Sequence, residues 1–107
     1  MSLSTHIPLD REHEKTAFAF QTGKVGEEAK RLTDQFARHA SRPGAQIHLD
    51  FGNVEYVVSE DLGAIVGLHN KVRGAGGHLT LLNVRPKVSA VIAITRLDTL
   101  MSVHRIG

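Results

Sequence analysis

The chain has 107 residues, 41% hydrophobic and 22% charged, a balance that supports one hydrophobic core and excludes disordered and fibrous classes. Its formal net charge is only +2, and the absence of cysteine removes disulfide frameworks, zinc knuckles, iron–sulfur ligation and thiol catalysis. No run approaches the ~18 apolar residues of a membrane span, and Met1–Asp10 lacks the apolar core of a signal peptide, so the expectation is one cytoplasmic domain over residues 1–107 without membrane insertion.

In chain order, Thr5–Leu9 and Thr16–Phe20 read as two short strands around the charged turn Arg11–Lys15, an N-terminal hairpin. Beyond Gly23 and Gly26, the residues Ala29, Leu32, Phe36 and Ala40 recur at helical spacing and predict a helix over Glu27–Ala40. Arg42–Pro43–Gly44 ends that helix, and Ile47–Phe51 alternates apolar with polar residues as a strand. A second helix is expected over Glu60–Arg73, capped by Ser59, acidic in its first turn and stopped by Gly74, Gly76 and Gly77. Its apolar stripe is Leu62, Ile65, Val66 and Val72, with His69 at the edge. Leu79–Val84 is a further strand, and Pro86 opens a third helix with Val88, Val91 and Ile92 on its apolar face. A short extended stretch around Leu100–His104 closes the chain. The order β-β-α-β-α-β-α-β predicts an α/β fold with a mixed, mostly parallel sheet and crossover helices.

Residues 41–62 carry a net charge of −3 and residues 63–107 of +5. The basic residues of the second segment are dispersed, however, and five aromatic residues do not supply the stacking platforms of a single-strand binder, so nucleic acid is not expected as a partner. No two of the seven histidines stand four residues apart, and no metal site is expected. Gly74-Ala75-Gly76-Gly77 follows a helix and precedes a strand, the reverse of the context a phosphate-binding loop requires. Ser59 has no Gly-x-Ser-x-Gly elbow, and acids such as Glu60 and Asp61 are ordinary in the first turn of a helix. No enzyme activity and no cofactor are expected.

The segment Val57-Val58-Ser59-Glu60-Asp61-Leu62-Gly63 places a serine where a strand passes into a helix, and the chain from Ile47 to Leu100 resembles a STAS domain of the anti-sigma factor antagonist family. Ser59, Leu62 and Gly63 match the family's Asp-Ser-Ser-Gly-Leu-Gly signature. Gly76-Gly77-His78-Leu79 is similar to the entry to its next strand, Asn83–Val88 to its strand-to-helix turn, Thr95-Arg96-Leu97 to the exit from its third helix, and Gly23 to the glycine ending its second strand. The resemblance implies a non-enzymatic protein that binds an anti-sigma kinase in a partner-switching pathway and is released by phosphorylation of the serine matching Ser59. A phosphate at a helix start meets unpaired amides while adding charge to a contact surface.

Four positions depart from that signature. The acid before the serine is Val58, the second serine is Glu60, the next glycine is Asp61, and the acid expected after Gly23 is Gly26. Ser59 is thus read either as the phosphoacceptor or as a helix cap alone. The docking surface is expected at Gly23, Lys24 and Val25 together with Glu60, Asp61, Gly63 and Gly67, where the last two glycines leave a groove one turn apart or allow close packing within the fold. A monomer or weak dimer is expected. The alternative within the same family resemblance is a STAS subunit of a lipid-transport ATP-binding cassette complex, or an unphosphorylated scaffold.

Overall fold

The computed structural model describes residues 15–38 and 45–106. Four strands, β1 (Lys15–Gln21), β2 (Gln46–Asn53), β3 (His78–Val84) and β4 (Ser102–Arg105), form one sheet in the order β1-β2-β3-β4. Every pairing is parallel. Helices α1 (Val25–Arg38), α2 (Ser59–Gly74) and α3 (Pro86–Ile94) link successive strands, because a parallel pair needs a crossover too long for a hairpin. A 3-10 turn, Leu97–Thr99, intervenes before β4. The Thr5–Leu9 strand, on which a mixed sheet depended, lies outside the described residues.

Strand alternation decides which face is covered. Along β2, Ile47, Leu49 and Phe51 are buried while the residues between them are half-covered, and Leu79 and Leu81 continue the buried row on β3. Onto this face α1 brings Val25, Ala29 and Leu32, α2 brings Ile65, Leu68 and Val72, and α3 brings Val88 and Ile92. The rings of Phe20 and Phe51 stack with centroids 5.6 Å apart. Fully burying side chains of this size contributes about 1.5–3 kcal/mol each, so this layer is the main source of stability.

Two helix starts differ from expectation. The first helix begins at Val25 rather than Glu27, because Val25 is fully buried and its contacts draw Gly26 into the first turn. Ser59 is not the cap of α2. The cap position is Val58, extended at φ −116°, and Ser59 is the first helical residue, one position past the cap. Gly77, which precedes β3, is required by close approach, since a Cβ there would stand 2.5 Å from the Ala45 carbonyl oxygen. The Gly74–Gly77 run is therefore a helix stop and tight entry to a strand.

Candidate functional site

The connections that leave the C-terminal ends of β1, β2 and β3 gather at one edge of the sheet, the edge at which parallel α/β folds present their binding loops. Thr22 ties the first two together. Its N–H and its hydroxyl donate to the Asn53 carbonyl at 3.3 and 3.2 Å, and its hydroxyl oxygen accepts the Glu55 N–H at 2.7 Å. The Arg85 Nε donates to the Gly52 carbonyl at 2.8 Å, and Asp50 Oδ1 accepts from Gly52 N–H and Asn83 Nδ2, which fixes the third connection.

Asp61 joins the two helices. It is 7% exposed, its Oδ1 accepts the Gly26 N–H at 2.9 Å, and its Oδ2 accepts the Val58 N–H at 3.0 Å. Both donors are amides at helix starts, which have no partner inside their own helix. A Cβ on Gly26 would lie 3.0 Å from Asp61 Oδ1, so a side chain at position 26 competes with this contact. Two departures from the STAS signature, Gly26 for an acid and Asp61 for a glycine, thus face one another and form a single exchange across the seam between α1 and α2.

The expected docking residues separate into two sets. Gly23, Lys24, Glu60, Gly63 and Gly67 are exposed, and a Cβ on Gly63 or Gly67 would meet nothing within 4 Å, so neither glycine serves close packing inside the fold. Val25 belongs to the core instead of the surface, and Asp61 is spent on the two amides rather than presented to a partner. Ser59 is exposed. Two large apolar side chains absent from the expected set flank it, Tyr56 at 57% and Val58 at 49% exposure. Such residues mark contact surfaces when they cluster, and here they lie within three positions of Ser59.

From this edge an open groove of about 520 Å³ runs along the α1–α2 seam, bordered by Lys30, Thr33 and Asp34 of α1 and by Glu60, Gly63 and Gly67 of α2. It adjoins a second hollow of about 500 Å³ that reaches Gly23 and Gly26, and Lys30, Asp34 and Glu60 border both. The glycines form a shallow floor, and the rim carries both signs of charge.

At the far end of α2, His69 is buried and its Nδ1 has no hydrogen-bond partner among the described residues. Burial, and then the nearby Arg73, hold its pKa below the ordinary histidine value. Among the described residues no three His, Asp or Glu side chains are grouped for a metal ion. No helix among them is long and apolar enough to cross a membrane.

The chain belongs to the family described as the Mlab STAS domain, whose model matches residues 23–102. A crystal structure from Thermotoga maritima, described as that of an anti-sigma factor antagonist, superposes with a TM-score of 0.69 at 20% identity, covering 91% of this chain and 82% of that one. The solution structure of the same protein gives 0.70 at 19% identity over 99% and 86%. An anti-sigma-factor antagonist (STAS) domain protein from Planctomyces limnophilus gives 0.68 at 17% identity over 85% and 82%. No curated protein matches the chain significantly. The α/β fold is that of a STAS domain, and at these identities the structural matches carry the fold alone.

Proposed function

We propose that this protein is a non-enzymatic binding module that acts as an anti-sigma factor antagonist, docking an anti-sigma kinase through the edge around Ser59 and the adjoining α1–α2 groove. The observation that carries this reading is the exposed Ser59 at the first position of α2, one position past the cap and flanked by Tyr56, Val58 and Glu60. A phosphate there would add up to about two negative charges beside Glu60, imposing desolvation and repulsion on a docked acidic surface. One local modification would then release the partner. The test is incubation with ATP and an anti-sigma kinase that co-purifies with the protein, followed by phosphate mapping by mass spectrometry. Phosphate on Ser59 alone supports the switch, and phosphate only elsewhere rejects it.

A second reading keeps the docking surface and removes the switch, making the chain an unphosphorylated scaffold or the STAS subunit of a lipid-transport ATP-binding cassette complex. The Asp61 bridge favours it, because a resident carboxylate already holds the Gly26 and Val58 amides that order this edge. Stable co-purification with a transport ATPase, with Ser59→Asp binding as well as wild type, is the result that selects this reading.

A further inference from the structure

At the opposite end of the sheet from Ser59, a cavity of about 320 Å³ lies between the last turns of α2, the start of β3 and the segment leading into β4. Its polar wall consists of His69 and Arg73, one turn apart on α2, His78 at the first position of β3, and the hydroxyl residues Thr99 and Ser102. No carboxylate among the described residues lines it. The Thr99 hydroxyl donates to the Arg96 carbonyl, so two basic side chains from two elements, Arg73 and His78, together with the Ser102 hydroxyl and no acid, form a donor set for an oxyanion and leave a cation without a counter-charge.

His69 borders the cavity without donating into it. The residue is 7% exposed, and its Nδ1 is buried without a hydrogen-bond partner among the described residues. An atom without accessible surface cannot reach a bound ligand, so the donors facing this cavity are Arg73, His78 and Ser102. The C-terminal end of a helix ordinarily repels anions, but Lys71 and Arg73 in the last turn of α2 offset that dipole.

We propose that this cavity binds the phosphate group of a small phosphorylated molecule. The planar guanidinium of Arg73 offers paired donors to phosphate oxygens, while His78 and the Ser102 hydroxyl border the cavity from β3 and the start of β4. The volume exceeds what one phosphate fills and falls at the small end of the ~300–1,000 Å³ range of ligand pockets, which leaves space for a body of sugar size against Leu79 and Leu100. This site is distinct from the Ser59 edge and does not depend on the docking reading.

The test is a heteronuclear NMR titration of the intact protein with inorganic phosphate and, separately, with ribose 5-phosphate. Saturable shifts at His69, Arg73, His78 and Ser102 are expected, with ribose 5-phosphate binding at least about tenfold more tightly than phosphate. Arg73→Gln and His78→Gln, both at exposed positions, should each weaken binding about tenfold, the loss of one charge-assisted hydrogen bond, with the melting temperature unchanged. Equal affinity for the two probes would overturn the assignment to a phosphorylated molecule in favour of the free ion. Shifts confined to the Ser59 edge, no saturation, or unaltered binding by both variants would overturn the site.

Discussion

Asp61 Oδ1 accepts the Gly26 backbone N–H at 2.9 Å across the seam between α1 and α2, while its other oxygen holds the Val58 N–H. The carboxylate thereby fixes the starts of both helices from one buried point. Asp61→Ala strands both amides and should lower stability by about 1–3 kcal/mol per amide left unpaired. Gly26→Ala should also destabilise, since its Cβ presses on the same oxygen. The exchange Gly26→Asp with Asp61→Gly returns each residue to the STAS signature and should recover at least half of the loss summed over its two single variants. Urea unfolding of the four-member cycle measures this coupling, and strict additivity would show that the two positions do not form a pair.

Ser59 stands one position past the cap of α2, so Ser59→Ala should leave the stability within about 0.5 kcal/mol of wild type. A true helix cap would cost about 1 kcal/mol on the same substitution. Thermal melts of the two proteins separate these outcomes, and a large loss would restore Ser59 to the capping role.

Gly67 stands in open space on the groove floor. Gly67→Leu should preserve or slightly raise the melting temperature, because glycine within a helix costs roughly 0.5–1 kcal/mol relative to alanine, while filling the groove and weakening partner binding. A fall of several degrees in melting temperature would instead assign Gly67 to internal packing.

His69 titrates below its ordinary value of 6.5 because burial disfavours the charged ring and Arg73 repels it. The unfolded chain therefore binds this proton at higher pH than the folded one. The stability associated with the neutral ring is whole above the unfolded value and is lost as pH falls from 6.5 through the lower folded value. Arg73 on α2 and His78 on β3 are the basic groups of that cavity, and the segment entering β4 contributes hydroxyls without charge. Melting temperatures between pH 7.5 and about pH 5 should drop more steeply for wild type than for His69→Leu, and superimposable profiles would remove His69 from the account.

Much of the fold was legible because the periodicities were local. The stripe Ala29, Leu32 and Phe36, the alternation Ile47–Phe51 and the Pro86 helix start each decide an element within a few positions, and the resulting order agrees with the described α/β sheet. The site was harder to read because its contacts are long-range. A helix-start acid such as Asp61 reads as a dipole stabiliser, and only its partner 35 positions away shows that it is buried and bridging. Val25 reads as loop beside Gly23 and Gly26, yet its burial against the sheet pulls the helix start back to it. Thr22 carries no motif, and its clamp on Asn53 and Glu55 arises from the meeting of two loops. The reciprocal departures at 26 and 61 were the one available signal for the bridge, visible only when taken as a pair.

The central claim is that the Ser59 edge and the α1–α2 groove form a protein-docking surface, and calorimetric titration against an anti-sigma kinase that co-purifies with the protein tests it most directly. Wild type and Arg73→Gln should bind with equal affinity, since Arg73 lies at the far end of α2, whereas Ser59→Asp and Gly67→Leu should each weaken binding at least about tenfold. Equal binding by all four proteins, or a loss confined to Arg73→Gln, would contradict the account.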